Sequence, residues 1–287
     1  MPKPLHTISL RRRFSNGLAL GLITLGALIV TVPLFLILGT VIYRGMGQLN
    51  WTFFTHIPNG PGEPGGGMAN AIMGSLMLLG FASLIGVPLG IGTGIFLAEY
   101  GRNKFGDVVR FTADSLNGVP SIVIGLTAYA LVVVPQKHFS MLAGSVALGI
   151  MMIPTISRTT EEVLLLVPLS IREAALGLGI PKWRTIVSVV LRTASAGIIT
   201  SIMMAFARVA GETAPLMFTA FGNQYWNSNV NQPTAALPLQ IFAYAIMPYD
   251  QAHAQAWTGA LVLISIIMIT VIIFRFLASR GAIKGAS

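Results

Sequence analysis

Six long apolar stretches constrain the fold of this chain more than any other feature of its sequence. They occupy residues 17–43, 71–98, 111–134, 141–157, 194–218 and 257–277. A helix needs about 20 apolar residues to cross the hydrocarbon core of a bilayer, and five of the six stretches exceed that length. The fourth has only 17 residues and needs an earlier start or a tilt to span. The pattern predicts an all-α, polytopic membrane protein with six transmembrane helices.

The composition agrees with a chain that lies mostly in lipid. Hydrophobic residues make up 54% and charged residues only 9% of the 287 residues, whereas a soluble domain carries about 25% charged residues. Fifteen of the 18 Lys and Arg residues fall on one side of the membrane if the N-terminus is cytoplasmic. The positive-inside rule then places both termini in the cytoplasm. We interpret the net charge of +9 as an orientation signal and expect no nucleic-acid partner.

The sequence lacks the motifs of several functional classes. It contains no cysteine, which excludes disulfides and thiolate metal sites. Its four histidines match no metal-ligand spacing, and no G-K-[ST] follows the glycines of segment 61–68 to form a phosphate-binding loop. No nucleophile elbow or pair of aspartates at membrane depth indicates an intramembrane hydrolase. We therefore expect no catalytic residue, metal site or cofactor in this chain.

Two charged residues stand inside the fifth apolar stretch. Arg208 and Glu212 are four residues apart, which on a continuous helix places them on one face as an ion pair. A central charge costs about 2.5–3.5 kcal/mol on insertion scales, so such a pair suggests a function. Arg208 is a candidate fixed cation on the path of an anion, with Glu212 neutralising it when the path is empty and Thr213 adding a hydroxyl. A pair that only fixes helix packing is the alternative.

A further cation, Arg158, ends the fourth apolar stretch. It is either a marker of topology or a second cation on the exit side of the same path. Nearby, Asp114 follows Arg110 by four residues, and this spacing predicts a local ion pair between the two.

The segment 168–192 predicts two short helices between the fourth and fifth stretches. Ser170 and Glu173 have the spacing of a capping box, which satisfies two orphan amides at a helix start. Gly179 suits the position just after a helix end, and Pro181 suits the first turn of the next helix.

The first of these helices carries small residues, Ala174 and Ala175, which allow close approach by another protein surface. An ordinary capped connector explains the same residues, and local physics does not choose between the two interpretations. Glu173-Ala174-Ala175 followed by Gly179 also resembles the EAA motif of ABC importer permeases. The family pattern continues with I-x-L-P, where residues 189–192 read VVLR and the proline is absent.

This resemblance implies a role for the loop. In that family the EAA loop seats in a cleft of the cytoplasmic ATPase and couples hydrolysis to rearrangement of the membrane subunit. Glu173, Ala174, Ala175 and Gly179 are then expected to form the ATPase-coupling surface.

Longer matches narrow the resemblance and cover about residues 65–280. The segments 116–123 (LNGVPSIV), 208–216 (RVAGETAPL) and 218–226 (FTAFGNQYW), with Gln232-Pro233, together resemble the phosphate-specific permease subunits of ABC importers. The resemblance implies the MetI-like permease fold and a place in the bacterial cytoplasmic membrane. It also implies a heterodimer with a homologous permease subunit, two ATPase subunits and an external phosphate-binding protein.

The predicted organisation has four parts. A cytoplasmic tail (1–17) precedes the first helix and external loop (18–69), the permease domain (70–280) and a second tail (281–287). Within the permease domain, the apolar piece 235–247 has 13 residues and is too short for a span.

Two other functions remain open on the sequence alone. A self-contained secondary transporter or anion channel explains Arg208 and Glu212 equally well but gives the cytoplasmic loop no role. A permease for another oxyanion differs only in substrate.

Overall fold

A computed structural model describes residues 10–60, 62–63 and 65–283. The predicted tails lie partly outside these residues, and the first helix begins at Leu10, inside the segment predicted as a tail. A 3₁₀ turn, Met46–Gln48, follows that helix. In chain order the helices are α1 (Leu10–Gly45), α2 (Trp51–Thr55), α3 (Ala69–Glu99), α4 (Lys104–Gly118), α5 (Ser121–Gln136), α6 (Met141–Leu165), α7 (Leu169–Gly177), α8 (Lys182–Ala210), α9 (Ala214–Met217), α10 (Leu237–Ala245) and α11 (Asp250–Ile283). α5 and α8 each contain one π-helical segment, Tyr129–Val133 and Ile186–Val190.

Five helices in the described part of the chain are long and apolar enough to cross a membrane: α1, α3, α6, α8 and α11. α4 and α5 form a sixth apolar segment, but they are bent by 108° at Val119 and Pro120. The prediction of one continuous helix at 111–134 is therefore wrong, because the apolar segment there is broken into two helices. Proline lacks a backbone N–H and disfavours helical backbone at the preceding residue, and Val119 accordingly has an extended ψ of 133°.

Two other predicted spans end at different residues. α6 has 25 residues, Met141–Leu165, because the charged side chains after residue 157 find partners and the helix continues. α8 spans Lys182–Ala210 rather than 194–218. Gly211 and Pro215 interrupt it before the predicted end, since glycine weakens a helix and proline removes one of its hydrogen bonds.

α3 and α6 pack against each other along a row of glycines. The row lies on the face of α3 that contacts α6 and has a glycine at every fourth residue: Gly86, Gly90 and Gly94. Each successive glycine contacts a residue further along α6. A Cβ atom added at Gly90 would lie only 2.7 Å from the Cβ atom of Ile156. Such small-residue rows let membrane helices approach closely. The two helices are parallel, and we call the end of the bundle formed by their C-termini and α7 the basic end.

α1 makes little contact with the other long helices. Of the residues in its most apolar 18-residue stretch, only 6% are buried. Its last turn packs on α11, where the Thr258 hydroxyl donates to the Gly45 carbonyl at 2.8 Å and Arg44 lies over the Trp257 ring at 5.4 Å. The rest of α1 presents apolar side chains outward.

The apolar piece 235–247 forms the nine-residue helix α10. At 1.5 Å per residue this helix is about 14 Å long, which confirms that the piece is not a full span. The Leu237 amide donates to the Ser75 hydroxyl on α3 at 2.7 Å, so α10 is fixed to the bundle at its first turn.

Candidate functional site

Two interrupted helices contact each other inside the bundle. The first interruption is the bend between α4 and α5, and the second is the break between α8 and α9 at residues 211–213. A Cβ atom added at Gly125 on α5 would lie 2.6 Å from the Pro215 Cα atom on α9. Non-helical backbone at membrane depth is tolerated where it is buried in protein or lines a cavity, and discontinuous helices often form substrate sites.

Arg208 lies next to these breaks and faces side chains from two other helices. Its Nη1 atom donates to Asn117 Oδ1 on α4 at 3.5 Å and to Thr155 Oγ1 on α6 at 3.4 Å. The Thr155 hydroxyl donates to Asn117 Oδ1 at 3.1 Å. Both bonds from Arg208 are long compared with the usual distance of about 2.9 Å. Because Arg208 is in the last turn of α8, the negative end of the helix dipole helps to stabilise its charge there.

The predicted ion pair between Arg208 and Glu212 does not form. Among the ion pairs between described residues, none includes either side chain. The reason is the end of α8 at Ala210: beyond it, a spacing of four residues no longer places two side chains on one helix face. The Glu212 amide donates to the Val209 carbonyl at 3.2 Å, which keeps Glu212 beside the end of α8. Thr213 follows at the start of α9 without a side-chain capping bond.

Near the basic end, α4 and α6 are joined by a network of ion pairs. Glu161 is 3% exposed and accepts from two guanidinium groups. Arg110 Nε donates to it at 2.6 Å, and Arg158 pairs with its other oxygen. Arg158 Nε also donates to Asp114 at 2.7 Å. The predicted pair between Asp114 and Arg110 is therefore wrong, because Asp114 faces α6 and Arg110 pairs with Asp107 and Glu161 instead.

Arg158 therefore lies within α6 rather than at its end. Two carboxylates occupy its guanidinium. It stands one turn from Thr155, on the side toward the basic end.

The loop after α6 forms the helix α7, but not with the predicted cap. Pro168 is the N-cap, and no side chain caps the helix. Ser170 lies inside the first turn, so the predicted capping box with Glu173 is wrong. Glu173 and Ala174 are exposed, whereas Ala175 is buried at 6% exposure.

The end of α7 agrees with the prediction. Gly179 has a φ of +75°, the left-handed conformation that glycine adopts without strain. Its amide donates to the Leu176 carbonyl at 2.9 Å, and the Ile180 amide donates to the Ala175 carbonyl at 3.3 Å. These two bonds form a Schellman motif, which confirms Gly179 as the residue that follows the helix end.

Salt and hydrogen bonds fix α7 to the ends of two spans. Arg172 pairs with Glu99 at the C-terminus of α3, and its Nη2 atom donates to the Leu164 carbonyl on α6 at 2.6 Å. Lys182 Nζ donates to the Glu99 carbonyl at 2.8 Å and lies 4.2 Å from the Tyr100 ring centroid. Cations are favoured at helix C-termini, so the end of α3 is held both to α7 through Arg172 and to the start of α8 through Lys182.

Sequence reasoning missed Asn117 and Thr155. The signal for Asn117 was present, since Asn117-Gly118-Val119-Pro120 is a helix-breaking sequence inside an apolar stretch. Thr155 carries no comparable signal. In the described residues, no group of three or more His, Cys, Asp or Glu side chains is placed to hold a metal ion.

The fold and these sites define the class of the protein: it is an all-α, multi-pass membrane protein with the permease fold of ABC transporters. The solved structure of the methionine ABC transporter MetNI in an inward-facing conformation matches 75% of this chain and 97% of its own chain, with a TM-score of 0.60 and 18% identity. At that identity the match supports the fold alone.

Sequence comparisons then give the family. Residues 90–282 match the family described as binding-protein-dependent transport system inner membrane component. The phosphate transport system permease protein PstA of Xylella fastidiosa (strain 9a5c) is 46% identical over 275 residues, covering 95% of this chain and 96% of that protein. PstA of Yersinia pestis is 43% identical over 270 residues, covering 94% and 92%. The chain belongs to this inner-membrane family and, within it, to the PstA permeases.

Proposed function

We propose that this chain is the membrane permease subunit of an ATP-driven importer of inorganic phosphate. Its similarity to proteins named phosphate transport system permease over 95% of its length supports the substrate. The observation that carries the mechanism is Arg208, a cation without a carboxylate partner among the described residues, located where two interrupted helices meet.

The translocation path runs past Arg208. A guanidinium presents its donors in a planar fork that suits an oxyanion, and weak binding suits a path because a tightly held ion is not released. Glu212 and Thr213 follow at the break, where the carboxylate limits the affinity for an anion and the hydroxyl supplies a polar contact. The path then passes Arg158, which lies on α6 one turn closer to the basic end than Thr155. To contact the anion it must release Asp114 or Glu161.

The loop 168–192 is the coupling element. Glu173 and Ala174 are exposed on α7, and Ala175 and Gly179 set the packing and the end of that helix. The exposed residues Glu173, Ala174 and Gly179 form the surface that docks on an ATPase, and the buried Ala175 supports it from the side of the bundle. Because Arg172 ties α7 to both α3 and α6, a displacement of α7 moves the ends of two spans at once.

The partners follow from this assignment. A homologous permease subunit completes the path as a heterodimer, two ATPase subunits dock at the basic end, and an external binding protein delivers phosphate at the opposite end. The basic end and both termini face the cytoplasm, as the distribution of Lys and Arg residues indicates.

The function is tested with the complete complex in lipid vesicles. We expect uptake of radiolabelled phosphate when ATP is supplied on the ATPase side and none when ADP replaces it. Sulfate and molybdate in excess should not compete. Transport of another oxyanion in place of phosphate would contradict the substrate assignment while leaving the class intact.

The docking surface is tested by adding a negative charge to it. Ala174→Asp and Gly179→Asp are expected to reduce the amount of ATPase that copurifies with the permease. Asn103→Asp is the matched control: residue 103 is exposed near the same end, and an aspartate there still accepts the capping bond that Asn103 Oδ1 receives from the Gly106 amide at 2.9 Å. Full copurification and transport by the two loop variants would refute the docking assignment.

A further inference from the structure

We infer that Asn117 and Thr155 bind the transported oxyanion together with Arg208, so that one anion is contacted from α4, α6 and α8. This inference rests on the proposed function and extends it by naming the remaining ligands of the same site. The three side chains form one cluster, joined by the Thr155 Oγ1 to Asn117 Oδ1 bond at 3.1 Å and the two longer bonds from Arg208.

The cluster holds more donors than it uses. Only Nη1 of Arg208 makes hydrogen bonds within the described part of the chain, which leaves Nε and Nη2 without acceptors there. The bond from Thr155 is accepted by the oxygen of the Asn117 amide, and its Nδ2 group has no acceptor among the described residues. A tetrahedral oxyanion offers four oxygen atoms, and its negative charge strengthens the bonds that it accepts both from Arg208 and from the neutral donors of Asn117 and Thr155. An arriving anion therefore replaces long, weak contacts with short ones.

A purely structural role for the cluster explains less. Polar side chains do join membrane helices, but such bonds are weak on average, and both bonds from Arg208 are longer than usual. Asn117 and Thr155 are half-buried rather than enclosed, so a solute can reach them. Both also adjoin the break between α4 and α5, where the backbone departs from regular helix.

The decisive substitution is Asn117→Asp. The aspartate has the same shape and keeps the oxygen that accepts from Arg208 and Thr155, so helix packing is preserved or strengthened. Its negative charge, however, occupies the guanidinium and repels an anion. We expect the complex to assemble in normal amount while uptake of radiolabelled phosphate falls about tenfold or more, since a negative charge at close range both pairs with the guanidinium and repels an anion. Asn103→Asp, which adds the same charge at an exposed position, should transport normally.

A second pair of variants removes only the hydroxyl. Thr155→Val keeps the volume but loses the donor, and we expect a several-fold rise in the half-saturating phosphate concentration, by analogy with other lost hydrogen bonds to charged groups. Thr155→Ser should restore the wild-type value. If Asn117→Asp failed to assemble, this pair would decide the question alone.

These experiments distinguish failure of the shared binding site from failure of the proposed function. Wild-type uptake by Asn117→Asp, or an unchanged half-saturating concentration in Thr155→Val, would overturn the shared site while leaving phosphate import by the complex intact. Absence of ATP-dependent phosphate uptake by the wild-type complex would instead overturn the proposed function.

Discussion

The Arg208 cluster and the basic end of the bundle use arginine in opposite ways. At the basic end, Arg110, Arg158 and Arg172 each pair with at least one carboxylate. Within the residues that the structure describes, Arg208 makes two bonds, both long and both to neutral oxygen atoms. A guanidinium attracts a full negative charge more strongly than a neutral oxygen atom at 3.4–3.5 Å, so the first three arginines hold helices together. Arg208 keeps most of its donors free for a ligand.

This difference also indicates which of the two predicted path cations, Arg208 or Arg158, binds an anion more readily. Arg158 must give up a carboxylate before it can bind a passing anion, whereas Arg208 gives up only weak contacts. The comparison therefore predicts a loss of transport from changes at Arg208 and a loss of stability or coupling from changes at the basic end.

The largest expected effect is on transport by Arg208→Gln. The substitution removes the charge and most of the donors while keeping a shorter polar side chain, so we expect the complex to assemble and phosphate uptake to be abolished. Arg275→Gln, an exposed change of the same kind on α11, serves as the control. Normal uptake by Arg208→Gln would leave Arg208 with a packing role only.

Glu161→Gln should produce the second largest effect, on stability. Its carboxylate is buried between Arg110 and Arg158, and breaking a buried pair by removing one partner costs about 3–5 kcal/mol; the partial exposure of both arginines places our expectation at the lower end. The thermal unfolding midpoint of the complex measures it. The neighbouring Glu162→Gln, exposed on α6, should leave the midpoint unchanged, and equal midpoints for the two variants would show that Glu161 holds nothing together.

A smaller effect is expected from the pair that ties α7 to α3. Glu99→Gln or Arg172→Gln should lower phosphate uptake about fivefold relative to ATP hydrolysis, because removing one partner of this pair leaves the other charge uncompensated and weakens the attachment of α7 to α3. A weakly attached α7 transmits less of the ATPase motion. The double variant Glu99→Arg with Arg172→Glu should recover part of the coupling. It recovers only part because the glutamate that replaces Arg172 has no donor for the Leu164 carbonyl. Additive losses in the double variant would argue against a direct link.

The smallest effect is expected from Gly179→Ala. A Cβ atom added there meets nothing within 4 Å, so the only cost is the left-handed backbone, roughly 1 kcal/mol. Gly177→Ala is the matched control, since it is open on all sides but lies in the helix, where alanine is favoured by about 0.5–1 kcal/mol. Opposite shifts in the unfolding midpoint of the complex are expected, and shifts of the same sign would contradict the Schellman end of α7.

Local signals in the sequence predicted much of the fold. In the described part of the chain, the apolar stretches identified the five long apolar helices and the bent pair of α4 and α5, because burial in lipid requires continuous hydrophobicity over about 20 residues. Gly179 was predicted correctly because a helix end is a local event. Ser170 was not the cap, because Pro168 begins the helix two residues earlier, a position that the spacing of Ser170 and Glu173 does not reveal.

The partners of the charged side chains were the least predictable part. Arg158 binds Asp114 across 44 residues and Arg110 binds Glu161 across 51, whereas the sequence favoured neighbours at a spacing of four. The break after Ala210 likewise separated Arg208 from Glu212. The contact from Arg208 to Asn117 spans 91 residues, and such contacts depend on how helices pack, which periodicity within one helix does not specify.

The most direct test compares lipid vesicles that hold this chain alone with vesicles that hold it together with its permease, ATPase and binding-protein partners. Uptake of labelled phosphate is measured in both, with ATP present. The mechanism proposed for this chain predicts uptake only in the complete assembly, with a rate that follows ATP hydrolysis. Phosphate movement through the isolated chain, at a rate indifferent to ATP, would contradict it.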